Sequence, residues 1–198
     1  MQRIVKSTFS FLFVATLIVA AGSVCVAQKD TKKPADAAAS YFPNTVLVTQ
    51  DNQKVKFYDD LLKDKVVVIN FMFTTCTSVC PPMTATLSRV QKLLGDRSKE
   101  VNMISISVDP TTDTPERLKA YADKFKAQPG WYFLSGEQAN VDAVLHKLGG
   151  HVANKNDHTV TLIIGNVATG EWKKLYALSK PADIAAQITQ LLDAKVTN

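Results

Sequence analysis

Cysteine, histidine and tryptophan are scarce in this chain of 198 residues, at three, three and two copies. Cys25 falls in an apolar N-terminal stretch, which leaves only Cys76 and Cys80 for the rest of the chain. One close pair excludes a disulfide-stapled scaffold and reads instead as a local site. No proline occurs between Gly130 and Pro181. There is no internal repeat and no low-complexity block in the long middle stretch. No segment is arginine-rich or interleaves aromatics with cations, so nucleic acid is not an expected partner.

What is present suffices for one domain of ordinary size with a tail: 46% of the residues are apolar and 21% are charged. The formal net charge is +5, and two of those cations, Arg3 and Lys6, open the chain. Behind them, Phe9 to Ala27 carries no charge. Cys25-Val26-Ala27 fits a small-x-small cleavage signal, so residues 1–27 read as an export segment, either a signal peptide or an uncleaved membrane anchor. Bulky Val24 argues against lipid attachment at Cys25. Residues 28–40 are polar and alanine-rich and read as a linker, with the folded domain over 41–198. The expected location is exported and periplasmic, at or near the inner membrane.

Thr45–Gln50 and Lys54–Tyr58 read as two short strands about Asp51-Asn52. Val66–Phe73 is a nearly continuous apolar run rich in β-branched residues, suited to a central strand buried on both faces. Met83, Leu87, Val90 and Leu94 recur at helical spacing up to Gly95. Val101–Val108 reads as a second core strand. Thr114-Pro115-Glu116 combines a hydroxyl cap, a proline at the first position and an acid in the first turn, opening a helix to about Lys126. Trp131–Leu134 (strand), Glu137–Leu148 (helix), Val160–Ile164 and Glu171–Tyr176 (strands) and Pro181–Ala194 (helix) complete the chain. Strands alternating with helices predict an α/β fold, a mixed central sheet flanked by helices. Two cysteines at the end of the first buried strand, opening a helix, fit a thioredoxin-like arrangement.

The site segment is Thr74-Thr75-Cys76-Thr77-Ser78-Val79-Cys80-Pro81-Pro82. Ser78 reads as the helix cap, with Pro81 and Pro82 in the first turn. Free N–H groups and the positive helix end favour thiolates there. Two such thiolates can form a disulfide, hold a soft metal or attack a partner's disulfide. His158, directly before the strand Val160–Ile164, is the candidate third ligand. Thioredoxin-type oxidoreductases place a cis-proline at that point of the fold. A histidine there argues for metal ligation. Two thiolates with one imidazole suit Cu(I), and the imidazole also accommodates Cu(II). Asp157 is either an outer partner of the ligands or a hard fourth ligand, which keeps zinc open. His146 and His151 read as structural or surface residues, and Met72 and Met83 as packing residues.

Phe71–Pro82 with its Cys-x3-Cys-Pro, then Ser107–Leu118 (SVDPTTDTPERL), then Asp157-His158-Thr159, in that order, resemble the SCO/SenC family, named for synthesis of cytochrome c oxidase. The resemblance runs from about Tyr41 to Leu192. It implies a thioredoxin fold, an exported membrane-facing location, and copper held by Cys76, Cys80 and His158, with Asp109 matching a family acid near the site. Family members often carry Cys-Pro-Asp between the cysteines, whereas here Thr77-Ser78-Val79 stand there and the acid is missing.

Two functions follow as expectations. One is a copper metallochaperone that serves a copper-accepting oxidase subunit by ligand exchange, without enzymatic turnover. The other is an exported thiol–disulfide reductase with Cys76 and Cys80 as its redox pair, acting on a redox partner. A peroxidase reading fails on Phe73 and Ile69, which stand where peroxiredoxins carry threonine and proline.

Overall fold

The computed structural model describes residues 33–194. The reading of residues 1–27 as an export segment, and the start of the linker, lie outside them. No helix among the described residues is long and apolar enough to cross a membrane.

Seven strands form one sheet in the order β2-β1-β5-β4-β3-β6-β7. They are β1 Val46–Thr49, β2 Lys54–Lys56, β3 Val66–Met72, β4 Val101–Ser107, β5 Trp131–Ser135, β6 Thr161–Asn166 and β7 Glu171–Tyr176. β3 runs parallel to β4, and β4 parallel to β5, while β6 returns antiparallel to β3 with Ile69 opposite Ile163. The sheet is therefore mixed, as the alternation of elements predicts. All seven residues of β3 are buried. Its side chains alternate between the two faces, Val66 and Val68 to one and Val67, Ile69 and Phe71 to the other.

Helices cover both faces. On the first, α2 (Cys80–Leu94), α3 (Pro115–Lys124) and α5 (Pro181–Asp193) bury Met83, Leu87, Leu118, Ile184 and Ile188. On the second, α1 (Pro34–Tyr41) and α4 (Gln138–Leu148) bury Ala38, Val141, Val144 and Leu145. Thr114 caps α3 as its sequence demands, with its side chain accepting from the Arg117 N–H.

Three elements differ from the sequence reading. Residues 34–40, assigned to the linker, belong to α1: Pro34 occupies the first turn, alanines favour the helix, and Ala38 is buried. The following Phe42 docks on Trp172 with ring centroids 5.2 Å apart. The second short strand stops at Lys56. Phe57–Leu62 then forms a π-helical turn, because Phe57, Tyr58, Leu61 and Leu62 fall on one helical face and are all buried. Finally, α2 begins at Cys80 itself. Val79 takes the cap position with no side-chain bond, and Ser78 turns its hydroxyl toward Cys76 Sγ at 3.7 Å.

α4 ends in a glycine pair that steers the chain toward β6. Gly149 adopts the left-handed conformation, with φ +71°. Gly150 lies flat on the Phe71 ring, where a methyl group would overlap ring carbons.

Candidate metal centre

The site forms where β3 ends and β6 begins, because antiparallel neighbours place those two ends side by side. Beyond Met72 the chain passes through Phe73 into the cysteine loop. Asp113, fully buried in the turn after β4, fastens that loop. Its carboxylate accepts from the Thr74 N–H at 3.1 and 3.2 Å, from the Thr74 hydroxyl, and from the Ser107 hydroxyl at 2.6 Å. A buried carboxylate with several donors is satisfied and rigid. It fixes the point from which Cys76 departs.

Cys76 and Cys80 are both free and buried, Cys76 7% exposed and Cys80 fully enclosed. The Cys80 N–H, at the first turn of α2, donates to Cys76 Sγ at 3.4 Å. The positive helix end thus meets the sulfur of the loop cysteine.

His158 arrives from the other side. A short 3-10 turn, Lys155–Asp157, is capped by Asn154, whose side chain accepts from the Asn156 N–H. The His158 N–H bonds to the Lys155 carbonyl at 3.3 Å. The ring meets Phe73 edge-on, with centroids 5.4 Å apart and planes at 75°. Its Nε2 lies 3.1 Å from Cys80 Sγ. Its Nδ1 is buried with no hydrogen-bond partner.

The two Sγ atoms and the imidazole fall within 4.8 Å of one another. Among the described residues no other group of three or more Cys, His, Asp or Glu side chains converges in this way. Neither Asp109 nor Asp157 joins it. The Asp109 carboxylate is taken by Lys155 Nζ at 2.6 Å and the Thr111 hydroxyl at 3.2 Å. Asp157 is exposed. His146 and His151 are exposed on and after α4, their rings stacked 3.8 Å apart. Met72 and Met83 are fully buried, which bears out the packing role expected of them.

The two sulfurs differ electrostatically. Burial pushes the Cys76 thiol up, but hydrogen bonds with Cys80 and Ser78 outweigh it and hold the thiol below its ordinary range. Burial, reinforced by Cys76, drives the Cys80 thiol well above that range despite a backbone hydrogen bond from Phe73. Burial also holds His158 below the usual imidazole value, which favours the neutral ring with its lone pair. Two sulfurs and an imidazole make a soft donor set that fits copper.

Three residues of this architecture escaped the sequence reading. Asp113 sits inside the Ser107–Leu118 segment, yet nothing in that segment ranks it above Asp109. Phe73 read as the end of a strand and as a departure from the peroxidase pattern, not as a wall of the site. Nothing in the sequence singles out Lys155.

Comparisons with known proteins show which family the chain resembles. The SCO1/SenC family model matches residues 29–193. Over 88 residues the chain is 40% identical to the SCO1 protein homolog of Bacillus subtilis, which covers 44% of this chain and 45%, under half, of that protein. A SCO1/SenC family lipoprotein from Bacillus anthracis has the same fold, with TM-score 0.65, 29% identity, and coverage of 76% of this chain and 94% of that one. ScoI of Bradyrhizobium japonicum, solved with copper bound, gives TM-score 0.63 and 29% identity over 74% of this chain and 96% of that one. With the family match running from before α1 to the end of α5, and the cysteine pair and histidine meeting inside it, the chain belongs to the SCO1/SenC family.

Proposed function

We propose that the protein is a copper metallochaperone. Copper, as Cu(I) or Cu(II), is held by the sulfurs of Cys76 and Cys80 and the imidazole of His158. It is then handed to a copper-accepting subunit during assembly of cytochrome c oxidase. The observation that carries this reading is the convergence of the three donors within 4.8 Å. The copper-bound Bradyrhizobium relative supports it. Cys76, at the more open side of the pair, is the sulfur an incoming acceptor thiolate reaches first. Asp109 and Asp157 serve outside the donor set. The domain works in the periplasm after export, held near the inner membrane. The charge pattern of residues 1–27 supports that location, as does the lipoprotein nature of the Bacillus anthracis relative.

The test is anaerobic copper titration of the reduced protein with absorption spectra, on wild type and on Cys76→Ala, Cys80→Ala and His158→Ala. One equivalent bound by wild type and weakened in each variant is the expected result. Unaltered binding by His158→Ala overturns the assignment.

The asymmetry of the sulfurs favours a second activity at the same place. The Cys76 thiolate attacks a partner disulfide and forms a mixed disulfide, releasing one partner thiolate. Cys80 passes its proton to His158 Nε2 and displaces the second partner thiolate. The products are a Cys76–Cys80 disulfide and a reduced partner.

A further inference from the structure

We propose that Lys155 is a positioning residue for the metal centre. It latches the turn that carries His158 onto the end of β4, and so sets the imidazole against the two sulfurs. The inference rests on the reading of Cys76, Cys80 and His158 as copper ligands.

Lys155 makes three contacts, and each leads to the centre. Its ammonium pairs with Asp109 Oδ2 at 2.6 Å, and the Asp109 side chain is only 12% exposed. The same ammonium lies 5.1 Å from the centroid of the Phe73 ring, which packs T-shaped against His158. Its carbonyl receives the His158 N–H. The Asp109 end of the latch is itself held, because the Asp109 N–H donates to Ser107 Oγ at 2.9 Å. That hydroxyl in turn donates to Asp113, the carboxylate that fastens Thr74 and the cysteine loop. One hydroxyl at the end of β4 thus supports both halves of the site, the cysteine loop through Asp113 and the histidine turn through Asp109 and Lys155.

An ordinary surface ion pair adds little to stability. Here the ammonium of the pair also lies over the Phe73 ring, which packs against His158. Its effect therefore falls on ligand placement. Phe73 is the shared wall: its carbonyl accepts from the Cys76 N–H at 3.2 Å, while its ring packs against both the Lys155 ammonium and the His158 imidazole. Without the ammonium, the turn over 155–157 keeps its backbone bonds but loses its tether to β4.

The experiment uses the full chain, reduced and loaded with one equivalent of Cu(I), and measures copper transfer to a bathocuproine-type chelator. Amide hydrogen exchange over 154–159 is measured in parallel on the metal-free protein. Lys155→Met and Asp109→Asn are expected to speed copper release by about 10-fold, the size of effect typical of groups that orient metal ligands. Both also speed exchange over 154–159, while the melting temperature stays close to wild type. Lys155→Arg, which keeps the charge, stays near wild type in all three. Release by Lys155→Met within about twofold of wild type, with His158→Ala releasing much faster, overturns the latch and leaves the copper reading standing. If His158→Ala releases copper at the wild-type rate, the copper reading fails instead. Exchange in metal-free Lys155→Met then decides the latch alone: faster exchange sustains it and unchanged exchange overturns it.

Discussion

Cys80 Sγ and His158 Nε2 lie 3.1 Å apart, although 78 positions of chain separate them. The contact exists because β6 pairs antiparallel with β3, so that the loop leaving one strand adjoins the turn entering the other. The thiol and the imidazole are then close enough to share a proton or to ligate one ion.

The two cysteines should differ in reactivity. In the reduced, metal-free protein near neutral pH, iodoacetamide labels Cys76 at least about 10-fold faster than Cys80, because thiolate fraction and access both favour it. Peptide mass spectrometry over a labelling time course reads the ratio, and equal rates would contradict the asymmetry of burial and hydrogen bonding.

Asp113→Ala should be among the most damaging single changes outside the ligands. It strips acceptors from the half-buried Thr74 N–H and hydroxyl and from the buried Ser107 hydroxyl. The expected loss is about 3 kcal/mol in urea unfolding, from buried donors left unpaired, with copper affinity falling alongside. Asp113→Asn keeps one acceptor oxygen and should lose less.

Gly150→Ala tests the close approach of the glycine pair to β3. The added methyl collides with the Phe71 ring. A loss of about 1–3 kcal/mol is expected from overpacking. Phe71→Leu should relieve part of it, so the pair is measured as a double-mutant cycle.

Acid should open the latch. Burial pushes the Asp109 carboxyl up, but Lys155 together with Thr112 and Thr111 outweighs it and holds the group below the usual carboxylate range. A carboxylate lowered in the folded state stabilises it above the unfolded value, about 3.9. That contribution disappears as pH falls through the folded value. Amide exchange over 154–159, corrected for its intrinsic pH dependence, should therefore hold steady down to about pH 5 and accelerate below about 4. In Asp109→Asn it should be fast throughout, with no such step. A wild-type profile without a step would count against the pairing.

Much of this molecule was legible in advance, and what was legible was local. A continuous β-branched run of strand length suits a strand buried on both faces, and β3 is one. Thr114-Pro115 carries its own start signal, and α3 obeys it. His158 stood out because a histidine occupied a place where the fold normally puts proline. What escaped depends on partners far along the chain. α1 reads as linker because its few apolar residues are marginal until Phe42 finds Trp172. Asp113 and Asp109 are indistinguishable as letters, and only the end of β4 sorts them, one into a sealed pocket and one toward Lys155. Ser78 looks like a cap, but helix geometry starts two residues later and leaves its hydroxyl to the sulfur.

The antiparallel return of β6 also sets an order of events for a chain made or threaded from its N-terminus. Both thiols emerge long before the ring that completes the set. A partly delivered polypeptide is thus a bare dithiol, open to oxidation or to stray ions, and becomes a three-donor clamp only when the last third of the domain has docked. Cargo held through all three donors therefore certifies a finished fold.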